Sequence, residues 1–219
     1  MYQIIGIGRT LFWFAVSCIA LFLVMHGADT LTLLSGPLND LWRAVTSTVV
    51  LGSLLLALLG QSPVFAWLCR LPFISEKFPP ISGEWDITVE SNWGVMLKWL
   101  GEGDGSSLHS VEGRVKIKAR FFGVKMEFIS RDGYSESQTI NVAVRPSQQG
   151  GLIELNYMYT NFTLVPKATD TSCHTGAARV FVKESEGELS MVGIYFTDRK
   201  WTEGLNTAGT VTFRRASKV

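Results

Sequence analysis

The segment GIYFTDRKWTEG, near the C-terminus, is the part of the chain richest in side chains capable of chemistry. It brings Tyr195, Thr197, Arg199, Lys200 and Trp201 close together in the sequence. A guanidinium group can bind phosphate through paired hydrogen bonds, and aromatic rings can stack on nucleobases, so this combination fits a nucleotide pocket. The end of a strand that carries ordinary core aromatics explains the same residues equally well.

The sequence contains no recognisable catalytic motif. The run from Gly101 to Gly105 resembles a phosphate-binding loop, but it contains Glu102 and Asp104, and no Gly-Lys-Ser/Thr follows it. These features favour a hairpin tip. The sequence has no HExxH, CxxC, Walker or nucleophile-elbow motif. We therefore expect a protein that is not an enzyme and has no catalytic residues.

The cysteines and histidines also suggest no reactive centre. Cys173 and His174 are adjacent, and neighbours on a strand point to opposite faces, so they cannot act together as nucleophile and base. Cys18 and Cys69 lie in or beside apolar segments, far apart in the sequence. We therefore expect no disulfide framework, no metal site and no cofactor.

Charge is distributed unevenly along the chain. Three of the 20 Lys and Arg residues and two of the 19 Asp and Glu residues lie before residue 71, which leaves 17 of each sign after it. A domain that binds a nucleic-acid polymer usually carries a basic excess, so the balance argues against DNA or RNA as a partner. A small anionic ligand needs only a local cluster of cations.

Two apolar segments near the N-terminus predict membrane spans. Between Arg9 and Asp29 lie 19 residues without a charged side chain, and between Arg43 and Arg70 lie 26. A bilayer core about 30 Å thick requires roughly 20 apolar residues in a helix. A cleaved signal peptide is an alternative for the first segment. A buried helical hairpin is another, although the rest of the chain looks too small to cover one.

The short loop between the spans predicts a hairpin with both ends on the same side of the membrane. Arg9, Arg70 and Lys77 flank that side, so the positive-inside bias places the N-terminus and the C-terminal domain in the cytoplasm. Small and hydroxylic residues let helices approach closely, which makes those within the spans candidates for self-association: Ser17, Thr46, Ser47, Thr48, Gly52 and Ser53.

After the spans the pattern changes to alternation with a period of two, as in Trp85, Ile87 and Val89 with polar residues between them. About eight such runs are separated by glycine-rich and polar turns, with no helical pattern between them. This predicts an all-β, antiparallel barrel of roughly eight strands, or a sandwich, and we favour the barrel because closure removes exposed edges. The predicted units are residues 1–70 with two transmembrane helices at about 10–28 and 44–66, a Pro-rich linker at 71–80, and the barrel at 81–219.

One predicted strand carries a row of cations on a single face: Arg114, Lys116, Lys118 and Arg120. A solvated outer face of the barrel explains such a row. Contact with anionic lipid headgroups is the alternative, because a domain beside a membrane meets them at once.

The arrangement of the whole chain resembles a known family. Its landmarks are the two spans, the Pro-rich linker, the strand opener PPISGEWDITVE and the closing strand GTVTFRR. Together they resemble the two-transmembrane, β-strand-rich effectors of bacterial cyclic-oligonucleotide-based anti-phage signalling systems (CBASS). The resemblance covers essentially the full length, and it depends on architecture rather than on a catalytic motif.

The resemblance implies a function and a partner. A cognate nucleotidyltransferase would make a cyclic dinucleotide as the activating ligand, and the barrel would bind it. The protein would then assemble through its transmembrane helices in the bacterial inner membrane and disrupt that membrane, so that the infected cell dies. Rival hypotheses are a lipocalin-like barrel that binds a lipid or other apolar ligand, and a structural membrane adaptor.

No family motif names the ligand-binding residues. We predict that aromatic and polar side chains of the later strands surround the ligand, with two further arginines as phosphate partners: Tyr157, Tyr159, Tyr195, Thr197, Arg199 and Trp201, with Arg131 and Arg179.

Overall fold

The computed structural model describes residues 1–102, 108–185 and 187–216. Its N-terminal part is helical, with α1 at Ile7–His26, α2 at Thr30–Ser35, α3 at Leu38–Gln61, α4 at Pro63–Leu68 and α5 at Pro72–Ser75. By length and composition, α1 continued by α2, and α3, are able to cross a membrane, with mean hydropathies of 2.1 and 1.8. No residue of α1 is buried, as expected for a helix that is apolar all round and surrounded by lipid.

The helix α3 ends at Gln61 because of the two residues that follow it. The amide of Val64 donates a hydrogen bond of 3.2 Å to Ser62 Oγ, and Pro63, which has no amide hydrogen, is the first residue of α4. The helix α5 begins with Pro72 in the same way. The Pro-rich linker therefore contains one short helical turn.

The two long helices pack against each other through a face of small residues on α3. Ala44 and Thr48 are buried there, and a Cβ added to Gly52 would lie 3.0 Å from Cys18 Sγ on α1. Residues four apart share one face of a helix, so this face of α3 is used within the hairpin. Ser17, Thr46, Ser47 and Ser53 are exposed and remain candidates for contact between protomers.

Eight strands follow: β1 Gly83–Ser91, β2 His109–Ala119, β3 Val124–Ser130, β4 Glu136–Pro146, β5 Ile153–Phe162, β6 Cys173–Ser185, β7 Glu188–Thr197 and β8 Ala208–Arg215. Each strand pairs antiparallel with the next, and β8 pairs with β1, which closes the barrel in sequential order. The predicted fold class, two long apolar helices followed by a closed eight-stranded antiparallel barrel, is confirmed.

One half of the barrel is filled by its own side chains. The inward positions of that half are occupied by large apolar residues that are at most 2% exposed: Trp85, Ile117, Val144, Leu155, Val180, Met191 and Phe213. Met1, Phe65 and Ile81 join the same core cluster. Because the barrel is filled here, this half supports the fold and leaves no room for a ligand.

The filled half is also the end that the helices contact, and we call this end the base. The amide of Tyr2 donates to the carbonyl of Phe121 at 2.7 Å, and the amide of Phe121 donates to the carbonyl of Gly60 at 2.8 Å. The amide of Val144 donates to Gln3 Oε1 at 2.9 Å. The segment that precedes α1 and the end of α3 are thus joined to the base by hydrogen bonds.

The expectation that no helix interrupts the strands is wrong for the connection between β1 and β2, where α6 spans Trp93–Trp99. Seven residues make only two helical turns, too few for a clear period of 3.6 to stand out in the sequence. The glycine-rich run that we interpreted as a hairpin tip begins directly after α6, and its residues 103–107 lie outside the described part of the chain.

Candidate functional site

The other half of the barrel is open and contains a pocket of about 410 Å³, a size typical of small-molecule sites. Its mouth is at the end of the barrel farthest from the helices, since Ser91, His109 and Asn161 line it at the far ends of β1, β2 and β5. Its deeper wall is apolar and is formed by Ile87, Val89, Val115, Met126, Phe128, Val211 and Phe213.

Three tyrosines from β5 and β7, the two strands that flank β6, form one wall of the pocket. Tyr157 and Tyr159 on β5 have ring centroids 6.0 Å apart, and Tyr195 lies on β7. Gly176 makes room for them, because a Cβ at this position would be 2.3 Å from the Tyr159 ring. Burial raises the pKa of all three phenols, so each keeps its proton at neutral pH and can donate a hydrogen bond.

Arg199 supplies the cation at the mouth of the pocket. Its side chain is only 12% exposed and forms an ion pair with Asp170 of 2.7 Å from Nε to Oδ1. Its Nη2 donates to the carbonyl of Thr169 at 2.8 Å, and its guanidinium lies 4.3 Å from the ring centre of Trp93 on α6. The guanidinium is therefore held in a fixed position, already paired with a carboxylate of the protein itself.

The same contacts hold the loop between β5 and β6 across the mouth. Tyr134 donates its hydroxyl proton to Asp170 Oδ2 at 3.0 Å, and its oxygen accepts from the amide of Lys167 at 3.1 Å. Lys200 Nζ donates to the carbonyl of Ala168 at 2.9 Å. This loop thus depends on side chains from two other connections of the barrel.

Two further side chains set the polarity of the mouth. His174 lines the pocket, and its buried Nδ1 has no hydrogen-bond partner among the described residues. Burial lowers the pKa of this imidazole more than the Asp170 carboxylate raises it, so the ring is neutral at pH 7. Asp132 accepts from Ser130 Oγ at 2.7 Å and from the amide of Tyr134 at 3.0 Å, and these hydrogen bonds lower the pKa of its carboxyl.

Comparison with known proteins gives the family. No family model matches the chain. The chain is 31% identical over 171 residues to CD-NTase-associated protein 15 of Escherichia albertii, in an alignment that covers 77% of this chain and 78% of that protein. The chain belongs to the CD-NTase-associated protein 15 family. This confirms the resemblance to the two-transmembrane, β-strand-rich effectors of CBASS, and the name of the relative links it to a nucleotidyltransferase system.

In this member of the CD-NTase-associated protein 15 family, the structure brings five of the eight predicted site residues together. Tyr157, Tyr159, Tyr195, Thr197 and Arg199 all line the pocket. The places of the three tyrosines and Thr197 follow from strand alternation, because alternate residues of β5 and β7 point inward. Arg199 lies two residues beyond the end of β7, in the connection to β8.

The other three predicted residues lie elsewhere. Trp201 is 69% exposed, outside the pocket. Arg131 forms an ion pair with Glu112, and its side chain is 80% exposed. Arg179 is on the outer wall, where its Nη2 is 2.6 Å from the buried carboxylate of Glu154.

Sequence reasoning missed five residues at the mouth: Trp93, Tyr134, Lys167, Asp170 and His174. His174 was the easiest of these to predict from the sequence, because the alternation that places Cys173 outside places His174 inside. The others lie in connections between strands or in α6, where no period of two indicates direction.

Proposed function

We propose that this chain is a membrane-anchored anti-phage effector whose barrel binds a cyclic dinucleotide made by a cognate nucleotidyltransferase. Binding promotes self-association through α1 and α3 in the bacterial inner membrane, with the N-terminus and barrel in the cytoplasm. The assembled helices disrupt the membrane, and the infected cell dies.

The observation that carries this proposal is the position of Arg199 at a pocket walled by Tyr157, Tyr159 and Tyr195. Phosphate binds a guanidinium through charge-assisted hydrogen bonds, and bases stack on aromatic rings. The mouth also holds Lys167, so two cations are available to a ligand with two phosphates. They are opposed by Asp132 and Asp170, so a bound anion must compete with carboxylates of the protein.

Titration of the full-length protein in detergent with a panel of cyclic dinucleotides tests the proposal. Arg199→Ala should weaken the affinity by roughly 10–100-fold, because a hydrogen bond to a charged group contributes about 1.5–3 kcal/mol. Arg131→Ala is the matched control, since it removes an exposed cation outside the pocket, and its affinity should be that of the wild type. Equal affinities of the wild type and Arg199→Ala would contradict the proposed site.

The membrane part of the proposal has its own test. Cells that produce the full chain should lose viability in the absence of phage when the cognate nucleotidyltransferase is switched on and makes the cyclic dinucleotide. Cells with a chain that lacks residues 1–70 should survive, because the apolar helices are removed. Killing by the truncated chain would show that the helices are not what damages the cell.

A second candidate function is favoured by the apolar deeper wall of the pocket, where Val115, Met126 and Phe128 face the cavity. Such a wall suits an acyl chain or another apolar ligand. Extraction of the purified protein with organic solvent, followed by mass spectrometry, distinguishes the two functions. A lipid present in stoichiometric amount and displaced by no cyclic dinucleotide would favour the second candidate.

A further inference from the structure

The end of the β2–β3 hairpin forms a basic and aromatic surface beside the helices. We call it the basal surface and define it by Lys118, Arg120, Phe122 and Lys125. Lys118, Phe122 and Lys125 are exposed, and Arg120 is half-buried. Nothing in the pocket contacts this surface, because it lies at the filled end of the barrel.

The contacts between the barrel and the helices fix the depth of the basal surface. α3 has 24 residues, which corresponds to a length of about 36 Å, longer than a hydrocarbon core of about 30 Å. Gly60, one residue before the end of α3, is bonded to Phe121. If α3 spans the bilayer, Phe121 and its neighbours are therefore at the level of the headgroups.

The ring of Phe122 packs at a tilt against the ring of Tyr2, with centroids 6.0 Å apart, a few residues before the start of α1. An aromatic side chain at this depth suits the interface between headgroups and acyl chains. Both long helices thus leave the barrel beside the basal surface.

The charges of the basal surface are only partly balanced within the protein. Lys118 and Lys125 are directly opposite each other on β2 and β3, an arrangement that destabilises a sheet unless an anion is near. Lys118 Nζ contacts Glu127 at 3.0 Å. In the described part of the chain, no carboxylate lies within the 4 Å of an ion pair with Lys125.

We propose that the basal surface binds anionic phospholipid headgroups of the bilayer that α1 and α3 span. The phosphate of such a headgroup contacts both Lys118 and Lys125. Phe122 enters the interface between the headgroups and the acyl chains. This contact holds the barrel upright on the membrane, with the pocket mouth facing away from it. The inference depends on the membrane part of the proposed function and is independent of the nucleotide.

The test uses the full chain extracted with its surrounding lipid in polymer-bounded particles, from bilayers of phosphatidylcholine mixed with phosphatidylglycerol. The measured quantity is the ratio of phosphatidylglycerol to phosphatidylcholine in the particles, relative to the starting bilayer. Each cation near an anionic lipid surface favours association of the protein with that surface by about fivefold. Particles that contain the wild type should therefore be enriched in phosphatidylglycerol. The double variant Lys118→Gln with Lys125→Gln should lose most of this enrichment.

Arg114→Gln is the matched control. Arg114 is an exposed cation on the same strand as Lys118. Their separation of four positions corresponds to about 13 Å along β2, beyond the screening length of about 8–10 Å at ordinary salt. This variant should keep the enrichment of the wild type.

The outcomes separate the two proposals. A wild-type chain that enters bilayers normally but shows no enrichment would overturn the lipid contact and leave the membrane-spanning helices in place. A chain that never enters bilayers would overturn both. If the double variant folds poorly, the single variant Lys125→Gln, at an exposed residue, takes its place and should show less enrichment than the wild type. At about 1 M salt, where the screening length is about 3 Å, the enrichment of the wild type should fall, and an enrichment insensitive to salt would contradict the proposal.

Discussion

The two halves of the barrel are built from the same eight strands and differ in what their inward positions carry. Toward the base, the strands present large apolar side chains such as Trp85, Met191 and Phe213, each of them fully buried. Toward the mouth, β5 and β7 present Tyr157, Tyr159, Tyr195 and Thr197 around an open pocket.

This difference separates stability from binding along the barrel axis. Side chains of the base contribute burial energy whether or not a ligand is present. Those at the mouth leave space unfilled and hold polar groups near water, at a cost in stability. Changes at the base should therefore alter the free energy of unfolding, and changes at the mouth should mainly alter affinity.

Trp85→Ala should have the largest effect on stability. Trp85 is 0% exposed, its indole Nε1 donates to the carbonyl of Ile81 at 2.9 Å, and the Arg215 guanidinium is 4.1 Å from its ring centre. Truncation of a buried aromatic residue costs about 3–5 kcal/mol, and denaturant unfolding of the full chain in detergent measures it. Trp201→Ala, at a residue 69% exposed, should stay within about 0.5 kcal/mol of the wild type. Similar losses of unfolding free energy in both variants would contradict the conclusion that the base of the barrel provides most of the stability.

The acid dependence of stability should come partly from Glu154, which lies beside the base. Its carboxylate accepts hydrogen bonds from Asn156, which has the largest effect, and from Arg179 and Arg145. These hydrogen bonds lower its pKa from 4.5 to about 2. Because the folded pKa is below the unfolded one, the stabilisation is fully present above pH 4.5 and is lost as the pH falls towards 2.

Unfolding of Glu154→Gln and of the wild type, measured from neutral pH down to about pH 2, tests this dependence. The variant should be less stable than the wild type at neutral pH, and the difference should shrink as the pH falls. Glu136→Gln, at an exposed position, is the control. A constant gap between Glu154→Gln and the wild type at every pH would assign its effect to packing and not to charge.

The sequence was sufficient for the barrel because alternation is repeated in every strand and needs no knowledge of distant partners. It was insufficient for Arg179, whose neighbours include Ala177 and Ala178, because alanine suits either face and does not show which one is inside. The irregular register between Thr139 and Asn141 of β4 is a second difficulty, since a bulge changes which residues face inward. Trp93 and Asp170 reach the mouth from α6 and a loop, and their positions depend on contacts between segments far apart in the sequence.

Gly176→Ala should lower both stability and affinity, because a side chain added on β6 changes the shape of the pocket. The added Cβ would be 2.3 Å from the Tyr159 ring, so the ring must move. Overpacking of this kind costs about 1–3 kcal/mol, and the affinity for cyclic dinucleotides should fall as well. Gly150→Ala adds a Cβ with nothing within 4 Å and should change neither quantity. If Gly176→Ala lost stability but bound ligand normally, Tyr159 would not be part of the binding surface.

Asp170→Asn should have the smallest effect on stability and the most informative effect on affinity. Loss of the ion pair with Arg199 removes a carboxylate that competes with a bound phosphate, so we expect affinity for cyclic dinucleotides to rise by up to about tenfold, while stability falls by about 1 kcal/mol. Asp132→Asn removes the same charge from the mouth without touching Arg199, and it should raise affinity less. Equal gains in both variants, measured by titration, would indicate a general charge effect. Weaker binding by Asp170→Asn would mean that the carboxylate orients Arg199 for the ligand instead of competing with it.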